Sequence, residues 1–193
     1  KTPASYDSTR EDVLKTVLEM LEPRDIVIAT TGHTGRELFE LRKERSEGHK
    51  RDFLNIGAMG HVSGIALAVA MAKPGRRIFC FDGDGSVLMH MGALAIVGSR
   101  APRNFWHIVL NNGSHDSVGG QRTAAFDIDM VGIARACGYK TAIALLSAPD
   151  FQKRFGEILK SECPAFIEVR IKKGSRENLS RPTQSPNEMK KAF

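Results

Sequence analysis

Two short apolar runs constrain this chain more than anything else in it. Arg77 to Phe81 and Phe105 to Leu110 are built almost wholly of large apolar residues, and each soon gives way to a polar cluster. The first leads to Gly83-Asp84-Gly85-Ser86, the second to Asn111-Asn112-Gly113. Runs of this length and composition read as strands buried on both faces, which is the habit of parallel sheets. The polar clusters then lie where buried strands end, and in an open α/β sheet that edge is where ligands bind. A carboxylate and a carboxamide there, among glycines, suit a hard divalent cation such as Mg²⁺ holding a phosphate. The glycines let backbone N–H groups approach phosphate oxygens closely.

The rest of the chain alternates helical and strand patterns around these two runs. Ser8-Thr9-Arg10-Glu11 has the form of a capping box, and Val13, Leu14, Val17, Leu18 and Leu21 follow at helical spacing until Pro23. Strands are expected at 25–30, 53–56, 139–145 and 164–171. Helices are expected at 36–43, from His61 to about Lys73, at 86–98, 128–137 and 149–160. The helix at 86–98 is apolar nearly all round and is expected to be buried. Residues 113–127, rich in Gly, Ser and Asp, read as a loop that orders on ligand binding. From Lys172 the chain turns polar, with Pro182 and Pro186, and reads as an extended tail. The pattern predicts an α/β fold: a three-layer, doubly wound, mainly parallel sheet with helices on both faces. The domain division is 1–172 as the binding domain and 173–193 as a polar C-terminal tail.

Composition excludes several classes. The longest unbroken apolar run, Ile65 to Ala72, is too short to span a bilayer. Cys80, Cys137 and Cys163 are odd in number and lie in apolar contexts, so buried thiols and a reducing cytoplasm are expected rather than disulfides. The net charge of +6 reads as a basic surface, fed by Lys172, Lys173, Arg176, Arg181, Lys190 and Lys191, or as an attraction for anions. Nucleic acid is a poor third, since the basic residues are dispersed and no binding motif appears. Lys1 rather than Met opens the chain, which points to a fragment, a processed chain or half of a longer polypeptide.

A nicotinamide-binding turn fits poorly. Gly83-Asp84-Gly85 begins as G-x-G, but Leu88 stands where the third glycine belongs, and Asp84 would repel a pyrophosphate without a metal. Instead, Gly83-Asp84-Gly85-Ser86 followed at Asn111-Asn112 resembles the signature of thiamin-diphosphate enzymes. Thr30 to Phe39, Gly57 to His61, Met89 to Leu94 and His115 to Gln121 are similar to the phosphonopyruvate and sulfopyruvate decarboxylase branch of that family. Lys173 to Arg176 and Arg181-Pro182 resemble its phosphonopyruvate members. The resemblance covers most of the chain, but only the diphosphate-binding half of the family.

The resemblance implies thiamin diphosphate and Mg²⁺ as cofactors, a small anionic 2-oxoacid as substrate, and carboxy-lyase activity converting 3-phosphonopyruvate to phosphonoacetaldehyde and CO₂. It implies that Asp84, Asn112 and the Ser114 carbonyl ligate the metal. Gly83, Gly85, Ser86 and the first-strand loop Gly32, His33 and Thr34 would meet the diphosphate. Met59 would wedge the cofactor into its bent shape, and the Gly57 carbonyl would accept from the aminopyrimidine. That bend brings the pyrimidine amino group near the reacting carbon. His115 is the candidate catalytic residue, for proton transfer or anion binding, against a mere loop contact. His61 is expected to make a polar contact, His90 to be a hydrogen-bonded core residue, and His107 to need no functional reading. Arg36, Gln121 and Arg122 stay open, and Met89 and Met91 read as packing.

The family's activating glutamate sits on a separate pyrimidine-binding domain, and none is evident here. A partner domain or subunit in a homo- or hetero-oligomer is therefore implied. The alternatives are a β-type subunit of sulfopyruvate decarboxylase, or a non-catalytic thiamin-diphosphate-binding assembly module.

Overall fold

A computed structural model describes residues 6–54 and 57–193. Six strands form one sheet: β1 (Ile26–Ala29), β2 (Asp52–Leu54), β3 (Ile78–Gly83), β4 (Phe105–Asn111), β5 (Thr141–Leu145) and β6 (Ala165–Arg170). Their spatial order is β2-β1-β3-β4-β6-β5, and all five pairings are parallel. The sheet is thus wholly parallel, where sequence led us to expect mainly so. The connection leaving β1 runs one way, to β2, while that leaving β3 runs the other way, to β4. This reversal opens a crevice between the carboxyl ends of β1 and β3.

Alternate residues of each strand feed two cores. Val27, Ala29, Phe79, Phe81, Trp106, Ile108, Leu110, Ile167 and Val169 pack on one face. They meet α1 (Arg10–Met20), α2 (His33–Glu44), α7 (Ala148–Ile158) and α8 (Pro186–Ala192). Ile26, Ile28, Ile78, Cys80, Phe105, Val109 and Phe166 pack on the other. There they meet α3 (Val62–Ala72), α4 (Asp84–Met89), α5 (Gly92–Arg100) and α6 (Met130–Ala136). The three-layer, doubly wound expectation stands. The sheet buries two polar groups: the pair of Asn111 on β4 with Glu168 on β6, and a chain in which His107 Nδ1 lies 3.0 Å from the Tyr139 hydroxyl and Nε2 lies 3.3 Å from Asp82 Oδ2. His107 needs no role beyond this.

Several expectations are corrected. The first capping box is shifted by one residue: Thr9 caps α1 with Asp12 as its reciprocal partner. Ser8 instead accepts from the Ala148 N–H at 2.7 Å, tying α1 to α7. Helix α2 starts at His33, earlier than expected, because Gly32 at φ +95° turns the chain directly into it. The strand at 53–56 is β2, with Asn55 and Ile56 outside the described residues.

The apolar helix at 86–98 is two helices, broken at His90 and Met91. It is not buried all round, for Met89 is 50 % and Ile96 57 % exposed. His90 is likewise exposed, its ring tilted against that of His61 with centroids 4.2 Å apart, and it leans against Gly60. Cys80 is buried, whereas Cys137 and Cys163 are half-buried; all three are free.

The tail contains a helix, α8, with Ser185 and Glu188 forming its own capping box. Met189 enters the core and Phe193 meets Phe53 edge-on. Among the described residues, no helix is long and apolar enough to cross a membrane.

Candidate cofactor site

The cleft lies where β1, β3 and β4 end. Its walls include Thr30, Thr31, His33 and Thr34 from the first connection, Gly83 to Ser86 from the second, and Asn112 and Ser114 to Ser117 from the third. Met59 forms one side, and it also lines a neighbouring cavity of about 420 Å³ that contains Gly32 and Gly57. The structure therefore brings every residue expected to hold the metal or cofactor, and His115, to these two adjoining cavities, whereas His107, Gln121 and Arg122 line neither. Gly32 and Gly57 face the second cavity rather than the first.

Asp84 opens helix α4 directly after β3 and is 2 % exposed. Its carboxylate accepts from Thr123 Oγ1 at 2.5 Å, and the backbone N–H groups of Asn112 and Gly85 favour its charged form. Burial nevertheless wins, pushing the Asp84 carboxyl above its ordinary pKa. A buried carboxylate held this way, with no cation beside it among the described residues, is suited to a bound metal ion.

The two asparagines at the end of β4 are not equivalent. Asn111 is fully buried, donating to Glu168 Oε1 at 2.5 Å and accepting from the Gly113 N–H at 3.0 Å. It shapes the turn. Asn112 lies in the cleft, with Oδ1 accepting from the Ser114 N–H at 3.0 Å. Its Nδ2 donates to Asp116 Oδ2 at 2.6 Å. The Ser114 carbonyl receives no hydrogen bond among the described residues, while its hydroxyl is buried and unpaired. Asp84, Asn112 and Ser114 thus offer three oxygens of the hard type that Mg²⁺ takes.

The glycines leave room for a ligand at the backbone. A Cβ on Gly85 would stand 2.5 Å from His115 Nδ1, so the histidine ring covers this backbone closely. Helices α2 and α4 both begin at the cleft, and their first N–H groups favour an anion there. His33 Nδ1 is buried without a partner among the described residues, and burial and the Arg10 charge lower its pKa. The Ser86 hydroxyl is engaged inside the fold, accepting from the Gly60 N–H at 3.0 Å and lying 3.1 Å from Thr30 Oγ1. Its contribution to a ligand would come from its backbone. The donor set and these cradles fit a metal-bound diphosphate.

Arg10, Asp116, Ser117 and Thr123 are among the residues of the site that were not anticipated. Arg10 sits on α1, and its guanidinium donates to Glu37 Oε1 at 2.8 Å and lies 3.6 Å from Asp116 Oδ2. Only the parallel order of the sheet brings these groups to one end of the molecule. Asp116, Ser117 and Thr123 carried a usable signal, as polar residues of the loop that follows the asparagines; Arg10 carried none.

Comparisons with known proteins place the chain in a family. Residues 30–169 match the family described as thiamine pyrophosphate enzyme, C-terminal TPP binding domain. A phosphonopyruvate decarboxylase of Streptomyces viridochromogenes is 40 % identical over 96 % of this chain and 45 % of its own length. The sulfopyruvate decarboxylase subunit beta of Methanocaldococcus jannaschii is 31 % identical over 82 % of this chain and 81 % of its own. This chain therefore spans about half the length of the phosphonopyruvate decarboxylases it matches. The thiamine diphosphate-dependent 4-hydroxybenzoylformate decarboxylase of Rhodococcus jostii RHA1 shares the fold, with a TM-score of 0.72 and 20 % identity. That match covers 91 % of this chain and 34 % of the other. The chain belongs to the thiamine pyrophosphate enzyme family, as its C-terminal cofactor-binding domain.

Proposed function

We propose that this chain is the diphosphate- and Mg²⁺-binding half of a decarboxylase that converts 3-phosphonopyruvate to phosphonoacetaldehyde and CO₂. Residues 1–172 form its PP-type binding unit and 173–193 its C-terminal tail. One observation carries the reading: Asp84 and Asn112, from the ends of two neighbouring strands, line a single cleft into which two helices begin. The match to phosphonopyruvate decarboxylases over nearly the whole chain supports the substrate.

In this reading Asp84, Asn112 and the Ser114 carbonyl hold Mg²⁺. The backbone N–H groups of the Gly83–Ser86 turn, together with Gly32, His33 and Thr34, take the diphosphate. Met59 divides the two cavities, so it is placed to prop the cofactor in a bent form, with Gly57 on the pyrimidine side. The bound cofactor supplies the electron sink for the pair released with CO₂. His115, half-buried over Gly85, holds or delivers a proton. Arg36 and Arg181 both line the second cavity, and they make no ion pair among the described residues. They favour a substrate carrying a second anionic group.

The activating carboxylate comes from a pyrimidine-binding domain or subunit. The exposed Met71, Met89 and Ile96, on helices of one sheet face, support such a partner.

The test supplies 3-phosphonopyruvate and 3-sulfopyruvate in parallel to the complete two-domain assembly, with thiamin diphosphate and Mg²⁺. Faster release of phosphonoacetaldehyde is the expected result. Preference for the sulfonate would leave the metal site standing and replace the substrate. That second reading is favoured by the matches to subunit beta of sulfopyruvate decarboxylase, of which the chain covers 81 % in one case and 95 % in another. Turnover of neither would point to another 2-oxoacid or to a non-catalytic assembly module.

A further inference from the structure

An asparagine serves a cation only through its amide oxygen. The two ends of the amide are nearly the same shape, so something must decide which end faces the metal. At Asn112 the structure shows what decides it. Nδ2 donates to Asp116 Oδ2 at 2.6 Å, and Oδ1 accepts from the Ser114 N–H at 3.0 Å. Turning the amide over would set Oδ1 against a carboxylate and the NH₂ against an N–H, so both contacts would become repulsive. Oδ1 keeps one further lone pair for the cleft.

Asp116 is itself held from three sides. Its Oδ2 also accepts from the Gly174 N–H at 2.8 Å and lies 3.6 Å from Arg10 Nη2. Arg10 is 6 % exposed and donates from Nη1 to Glu37 Oε1 at 2.8 Å and to the Gly174 carbonyl at 3.4 Å. The carboxylate therefore joins α1, the loop after β4 and the chain leaving β6. None of these contacts belongs to the metal-binding signature.

We propose that Asp116, clamped by Arg10 and the Gly174 backbone, is the positioning residue that keeps the Asn112 amide oxygen available to the metal ion. This rests on the cofactor reading above. Groups that orient metal ligands commonly account for about 10–100-fold in metal affinity.

The experiment is titration of Mn²⁺, followed by its electron paramagnetic resonance, into the complete assembly with thiamin diphosphate. Asp116→Ala is expected to weaken Mn²⁺ by about 10–100-fold, and Asp84→Ala to remove binding. The discriminating step is to repeat Asp116→Ala in an Asn112→Asp background. The carboxylate there has two equivalent oxygens and no wrong face, and it also faces a like charge. Removing Asp116 should then cost nothing or improve affinity. An equal loss in both backgrounds would mean a merely structural tie and would overturn the inference. So would unchanged Mn²⁺ affinity in Asp116→Ala when Asp84→Ala has lost it. Undiminished binding in Asp84→Ala would overturn the metal reading and this inference with it. If Asp116→Ala does not fold, Asp116→Leu makes the same comparison, since it keeps the side-chain volume and removes both acceptor oxygens.

Discussion

Thr123 donates its hydroxyl to Asp84 Oδ2 at 2.5 Å, reaching back across the cleft from the far side of the 113–127 loop. The loop returns as a short antiparallel pairing, Ser114 against Arg122, which sets the position of Thr123. Thr123→Val keeps the shape and removes the donor. It should cost about 1–3 kcal/mol of stability, read by urea denaturation. It should also raise the already elevated pKa of Asp84 in the metal-free protein, because the lost bond favours the charged form. Mg²⁺ needs the carboxylate ionised, so its affinity in the variant should recover only at higher pH than in the wild type. An unchanged pH profile of Mg²⁺ affinity would show that Thr123 does not tune the site.

Edge strand β2 is pinned by charge. Arg42 on α2 donates to Asp52 through Nε at 2.8 Å and Nη2 at 2.7 Å, and to Glu47 through Nη1. Arg42 and Asp52 are 2 % and 3 % exposed. Arg42→Ala leaves the Asp52 carboxylate buried and uncompensated, a change worth about 3–5 kcal/mol. Replacing both partners with apolar residues should cost far less than either single change. A double-mutant cycle by chemical denaturation measures this.

The fold and the centre of the site were legible for different reasons. β3 and β4 were readable because long apolar runs leave little alternative, and their polar ends declare an edge. Asp84 and Asn112 followed directly. Arg10 was not readable, because a charged residue in the first turn of a helix has a sufficient explanation in solvent. Its burial appears only when α1 packs beside α2. The exposed apolar face of α5 misled for a related reason: Ile96 has the same composition whether buried in its own core or reserved for a partner. The α8 helix was missed although Ser185, Pro186 and Glu188 spell its start, because a polar segment with prolines was read as extended.

Glu37 gives the stability a pH dependence with a definite sign. It is 1 % exposed, and burial pushes its pKa up to about 7 despite the pull of Arg10 and Arg176, with Glu11 adding to the rise. A carboxyl whose folded pKa is raised contributes stability that is full below its unfolded value. That contribution is lost as pH rises through the folded value. The wild type should therefore lose stability relative to Glu37→Gln between about pH 4.5 and pH 7, the ordinary and folded values. Urea midpoints of the two proteins across that range make the check. Parallel curves would mean that Glu37 stays ionised beside Arg10 throughout.

His115 and Gly85 form the sharpest test of the catalytic assignment. The imidazole lies so close over Gly85 that a Cβ there would come within 2.5 Å of Nδ1. Gly85→Ala keeps the backbone N–H for the diphosphate but must push the ring aside. If His115 moves a proton, His115→Ala should lower kcat by about 10²–10⁴-fold. Gly85→Ala should reproduce a large part of that loss with little change in cofactor affinity. In the His115→Ala background there is no ring left to displace, so Gly85→Ala should then cost almost nothing. Single-turnover rates of the complete assembly, compared across the four proteins, give the coupling. Additive losses would mean that Gly85→Ala acts on the diphosphate turn itself. A near-wild-type rate in His115→Ala would reduce the histidine to a loop contact.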